Sequence, residues 1–413
     1  MFTLPTYALD PCVLLAKYLS PLRIGLARLQ RASEWRAVCV CLALSAAVMP
    51  SSARADETIS IPLLVPITGF LSIEGTSQRN GALLAADHAK AVLKEGVSLN
   101  TPVLDTATSP EAAVNAFLKA MREENVVAAV APLFGPQMLA LLPLAEEFEI
   151  PLLTVSGTAK VTELGNPWVF RFFPSDVVVK AAQARYALEE LGVRRPAIIH
   201  QTTAYGQSGA AALTNTYEAA GITPTFTASF APSDKDVLPI LVRARATNPD
   251  ALMLQLHAAP TALLVRQWGQ SGRTPVIVAG SALHQPTTAA LLEPADMSGA
   301  GAETCYLPTG ATRPSMAAFL EAFEARFNRR PDGYAAGQYD AVTMAVTAIN
   351  TDALTPGALR DALSTTSHEG IAMTYKSDGA GNMAHDAVIV CYDGKSRTPS
   401  VAKRYPNVLK SKP

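Results

Sequence analysis

Short apolar runs alternate with longer amphipathic stretches through most of this chain, and that rhythm limits its fold more than any other feature. Residues 59–65 (ISIPLLV) are apolar and bounded by turn formers, which predicts a buried strand. A loop at 66–75 leads to a helix expected over 77–93. Strand 103–105 precedes Ser109-Pro110-Glu111, a helix start with a cap, Pro at the first helical position and an acid in the first turn. Val114, Phe117, Leu118 and Met121 then give the i, i+3, i+4, i+7 stripe of a half-buried helix. Strand 126–131 pairs with helix 138–148, and strand 152–155 with a short helix from 159. The second half repeats the pattern with strands at 197–200, 226–230, 251–255, 276–279 and 387–392. Helices are expected at 208–220, 236–246 and 261–270, and around Met316, Phe319, Leu320, Phe323 and Phe327. Such alternation predicts parallel sheets with helices on both faces. The helices of a 413-residue chain exceed what one ordinary sheet can carry, so two α/β lobes are expected. No Pro/Gly/Ser-rich linker separates them, which predicts several crossings between lobes.

The first 55 residues are set apart from this fold. Arg36 flanks an apolar stretch at 37–49, the right length for a signal h-region and short for a bilayer span. Ala53-Arg54-Ala55 then fits a small-x-small cleavage site, so residues 1–55 are expected to be removed, with Asp56 starting the mature chain. No Cys follows a small-residue lipobox, and no long apolar run follows residue 60, so direct membrane insertion is not expected. Cleavage leaves 28 basic and 33 acidic residues, net −5, and two of the five cysteines, Cys305 and Cys391. These lie 86 residues apart and read as independent thiols.

Apolar residues make up 49% of the chain and charged residues 17%, which excludes intrinsic disorder. The full chain's charge of −1 gives no basic face for nucleic acid. The six histidines are scattered without HExxH or CxxC spacing, so no metal site is read. GxSxG, GxxxxGK[ST] and GxGxxG are all missing, and no enzyme activity or cofactor is expected. Asp105 and Asp340 read as isolated acids, Asp340 as a structural one early in a helix.

Six stretches recur in the order of a known family: PITGFLSIEGTSQRNGALLA (66–85), AAVAPLFGPQMLALLPLAEEFEIPLLTVSGTAKVTE (128–163), VFRFFPSD (169–176), AIIHQTTAYGQSGA (197–210), YAAGQYDAV (334–342) and YKSDGAGN (375–382). On these the chain resembles the type I periplasmic solute-binding proteins of ABC importers, in the branched-chain amino-acid-binding (leucine-binding-protein-like) subfamily. The resemblance implies an α/β fold of two Rossmann-like lobes joined by three crossovers, closing like a Venus flytrap on a small-molecule ligand. It implies residues 56–174 plus 305–369 for the first lobe and 175–304 plus 370–413 for the second. It also implies a periplasmic, monomeric protein that delivers a solute to the membrane permease subunits of an ABC transporter. A ligand-sensing domain for a regulator or receptor is the alternative.

Ligands of open α/β sheets bind beyond the carboxyl ends of the strands, and the loops there carry the candidates. Ser156-Gly157-Thr158 follows one strand and precedes a helix, an arrangement that suits an anion; the same residue types would also make a plain capping turn. The resemblance implies that Ser156 and Thr158 hold a ligand carboxylate. Gly135 stands where many relatives have a serine, and Pro136 beside it has no N–H to give. The resemblance places Tyr205 in the cleft from the second lobe; His257 follows a strand and is either a cleft residue or a structural one. Ser281 stands near the point where amino-acid binders place an acid for the ligand ammonium, and there is no acid between Asp250 and Glu293. That departure favours a carboxylate without an α-amino group. Glu74 is either a substitute cation partner or a solvated surface acid.

Overall fold

A computed structural model describes residues 57–270, 275–306 and 314–409. The expected leader, its 37–49 stretch and its cleavage site lie outside them. Sixteen strands are named in chain order: β1 Glu57–Ser60, β2 Leu63–Val65, β3 Val97–Asn100, β4 Val103–Asp105, β5 Ala129–Ala131, β6 Leu152–Thr154, β7 Val169–Arg171, β8 Pro196–Gln201, β9 Phe226–Phe230, β10 Ala251–Gln255, β11 Val276–Ala279, β12 Gly301–Thr304, β13 Ser367–Glu369, β14 Thr374–Lys376, β15 Ala387–Cys391 and β16 Ser400–Tyr405. Five of them form a parallel sheet in the order β4-β2-β5-β6-β7. Seven form a second sheet, β16-β15-β12-β11-β10-β8-β9, parallel from β12 to β9 and antiparallel at β15 and β16. β1 pairs with β3, and β13 with β14, in two small ribbons. These are the two lobes.

Both sheets are covered on both faces, which is why β2 (LLV) and β10 (ALMLQ) are buried at every position. Helices Ser72–Ala89 and Gly333–Asn350 pack on one face of the first sheet. Pro110–Ala120 and Gly135–Glu147 cover the other. In the second lobe, Leu238–Ala246 and Ala258–Gln270 take one face, and Asp176–Glu189 and Ala204–Ala219 the opposite one.

The structure corrects three expectations. The strand expected over 59–65 is two strands, because Pro62 has no N–H for a ladder. β1 continues with β3, and β2 alone enters the sheet. Several helices begin earlier than expected, at Ser72, Gly135, Ala204 and Ala258, because their first turns lack the apolar stripe. The lobe division also moves. Ile371, Met373, Tyr375, Met383 and Ala384, placed by sequence in the second lobe, pack in the first core. Two backbone bonds hold the segment there: Arg171 N–H donates to Gly381 O (2.8 Å) and Met383 N–H to Arg171 O (3.1 Å), extending the first sheet at β7.

Candidate functional site

The loops after β2, β5 and β6 of the first lobe meet those after β8, β10 and β11 of the second. Among the hydrogen bonds that join the lobes directly are Ala258 N–H to Glu74 Oε1 (3.3 Å), Ala159 N–H to Ser208 Oγ (3.0 Å) and Asp176 N–H to Gly157 O (2.7 Å). Every residue singled out from sequence is buried here: Glu74, Gly135, Ser156, Gly157, Thr158, Tyr205, His257 and Ser281.

The Ser156–Thr158 loop forms the first-lobe wall. A Cβ on Gly135 would stand 2.2 Å from Thr158 Oγ1, so glycine there lets the Gly135–Glu147 helix start against that hydroxyl. A Cβ on Gly157 would stand 2.9 Å from Asp176 Oδ1 and 3.5 Å from the Tyr205 ring, so this backbone meets the second lobe edge-on. The expected helix start does not supply the loop's positive field. Only one turn, Lys160–Glu163, follows, too short for an appreciable macrodipole. The charge comes from Arg171 at the end of β7, which is fully buried. Its Nη1 donates to the carbonyls of Thr158 (2.7 Å), Gly157 (3.3 Å) and Ser156 (3.4 Å). Burial lowers the Arg171 pKa to about 10, opposed by Asp176, Asp378 and Glu163, so the guanidinium stays charged at neutral pH. The hydroxyls of Ser156 and Thr158 are buried and have no protein partner. Buried hydroxyls are nearly always bonded, so an orphaned pair in front of a cation marks a place for oxygen acceptors. Thr158 also lines a groove of about 860 Å³ that runs out between the lobes past Ser208 and Gln207.

Aromatic rings form the opposite wall. Tyr205 lies in the first turn of its helix, behind the Thr203 cap, and stacks on His257 with centroids 4.5 Å apart. Phe70 and Phe134 approach His257 edge-on at 6.3 and 6.4 Å. His257 N–H donates to Gln201 Oε1 (2.6 Å), while Nε2 is buried without a partner. Burial drops its pKa to about 3, so the ring is neutral. Glu74 is not a solvated acid: it sits in the first turn of Ser72–Ala89, buried, against the start of the Ala258–Gln270 helix. Burial raises its pKa to about 7.

The stretch between Asp250 and Glu293 holds no acid, and the acid beside Ser281 comes from farther along the chain. β12 lies beside β11, and Glu303 on it accepts from Ser281 N–H at 2.8 Å. Glu303 is paired with Lys180 (2.8 Å), both fully buried. Asp176 accepts from Gln255 Nε2 (3.1 Å); burial raises its pKa to about 7 against the pull of Lys180, Ser208 and Arg171. Sequence reasoning missed Phe70, Arg171, Asp176, Lys180, Gln255 and Glu303. Ser175-Asp176, closing the FRFFPSD stretch, is a cap signal that could have revealed the Asp176–Glu189 helix and with it Lys180. Asp105 is not partnerless either: it accepts from Ile67, Thr68 and Ala107 N–H groups and shapes the loop after β2.

The family model for periplasmic binding proteins matches residues 58–396. The chain belongs to the periplasmic binding protein family. Among its curated relatives is a Leu/Ile/Val-binding protein of Rhizobium johnstonii, 27% identical over 233 residues, or 55% of this chain and 63% of that one. The match thus spans under two thirds of that relative's length. A leucine binding protein from Thermotoga maritima superposes with a TM-score of 0.76 at 24% identity, covering 84% of this binding protein and 99% of its own chain. An ABC transporter solute binding protein from R. palustris in complex with benzoate gives 0.77 at 17% identity, covering 85% and 97%. These likenesses establish the type I periplasmic binding protein fold for this binding protein.

Proposed function

We propose that this chain is the solute-binding component of an ABC importer. It is exported with loss of residues 1–55, works in the periplasm as a monomer, and hands a small organic carboxylate to membrane permease subunits. It carries out no chemistry and needs no cofactor; Ser156, Thr158 and Gly157 hold the carboxylate, and Tyr205, His257 and Phe134 flank its body. Lobe boundaries follow the cores, with 371–384 in the first. The observation that carries the reading is the pair of orphaned, buried hydroxyls on Ser156 and Thr158 in front of Arg171. Relatives named for aliphatic amino acids and a fold neighbour holding benzoate are all proteins of carboxylate ligands, which supports it.

A thermal-shift screen over amino acids, aliphatic and aromatic carboxylates, amides and urea tests it, since a ligand at 100 times its Kd adds about 2.7 kcal/mol. Thr158→Val is expected to weaken the best carboxylate by about 1–3 kcal/mol in calorimetry, the cost of an unpaired desolvated acceptor. Stabilisation by amides or urea alone, or full affinity in Thr158→Val, would overturn the reading.

A further inference from the structure

We propose that Lys180 makes the cleft selective for carboxylates without an α-ammonium, because its own ammonium occupies the place beside Glu303 that a ligand ammonium would take. This rests on the carboxylate reading above and narrows it.

Four acids are buried around the cleft, Glu74, Asp176, Glu303 and Asp332, and each already has an internal partner; Asp332 accepts from the Ser77 hydroxyl (2.7 Å) and from Ala335 N–H (2.9 Å). Glu74 accepts from Ala258 N–H across the lobes. Asp176 accepts from Gln255 and lies in the field of both Lys180 and Arg171. Glu303 Oε1 takes both Lys180 Nζ and Ser281 N–H. Lys180 is held in turn by Gln183 Oε1 (2.8 Å), and Gln183 is fixed by its bond to Val278 O (2.6 Å). The ammonium lies under the loop that ends β11: a Cβ on Gly280 would stand 3.3 Å from Lys180 Nζ and from Gln255 Oε1. Ser281, next in the chain, meets the hydroxyls of Tyr205 and Tyr334. A ligand ammonium arriving here would join two buried cations and find no carboxylate without a partner. Burying an unanswered charge costs far more than forgoing one hydrogen bond. Glu303 Oε2 and Asp176 Oδ2 remain buried without partners, and a neutral O–H can satisfy them without adding charge.

The test is calorimetry on the mature protein with two matched pairs, leucine with isocaproate and phenylalanine with hydrocinnamate. The des-amino member is expected to bind at least about tenfold tighter, the equivalent of ~1.4 kcal/mol. Lys180→Met frees Glu303 and is expected to shrink or reverse that ratio by a similar factor. Lys180→Met combined with Glu303→Gln removes both charges, is expected to fold even if the single variant is destabilised, and should keep the des-amino preference. Wild-type protein that binds leucine or phenylalanine as tightly as its des-amino partner overturns the inference without any variant, and so does an unchanged ratio in folded Lys180→Met. If no member of either pair binds, and benzoate does not, the carboxylate reading itself fails and this inference falls with it.

Discussion

Glu74 is a residue whose charge state departs from what its sequence position suggests. An acid in the first turn of a helix ordinarily sits ionised at the surface. Here it is buried and its pKa rises to about 7. The sign follows from linkage. Between about pH 4.5 and 7 the folded chain keeps the Glu74 proton that the unfolded chain has lost, so this carboxyl costs stability as pH rises through that window. Neutral, buried His257 acts oppositely: its pKa is depressed to about 3, so stability falls as pH drops below the usual histidine range. Comparing wild type with Glu74→Gln separates the two. The variant is expected to gain on wild type between pH 5 and 7, by at most roughly 3 kcal/mol for a shift of this size. Urea unfolding at several pH values checks it; a constant difference across the window would show that Glu74 is ionised throughout.

At the scale of elements, the Ser72–Ala89 and Gly333–Asn350 helices depend on close approach. A Cβ on Gly81 would stand 2.1 Å from Ala335 O, so the two backbones touch where glycine leaves room. In an exposed helix Gly→Ala gains up to about 1 kcal/mol. Gly81→Ala is expected instead to lose about 1–3 kcal/mol, because the helices must part. A raised melting temperature for Gly81→Ala would contradict that packing. The elements most legible in the sequence were those with long apolar stripes, such as the helices at 110–120 and 314–327. The Asp176–Glu189 helix was not read: Asp176, Lys180 and Gln183 are polar yet buried, which erases the stripe on which periodicity depends. β12 was missed for the same reason, since GAET carries Glu303 inside the sheet.

On the scale of the whole molecule, the described residues make two large sheets that the chain visits alternately, passing after β7, after β12 and before β15. The expected leader belongs to this scale, because its removal would change the charge of the entire molecule to −5. Protein exported by its native host is expected to begin at Asp56; N-terminal sequencing that finds Met1 retained would refute the cleavage reading. The sequence by itself determined the βα rhythm, the two lobes and the strand-end position of the loops bearing Ser156, Thr158, Tyr205 and His257, because apolar periodicity and strand-end loops are local signals. Tertiary structure alone decided the electrostatics. Glu303 follows Ser281 by 22 residues and Lys180 precedes Glu303 by 123, yet sheet order and helix packing bring them within 2.8 Å. Arg171 reaches the Ser156–Thr158 carbonyls only because β7 lies beside β6. Such pairings have no periodicity to read, since a buried charge is placed by whatever the fold sets against it.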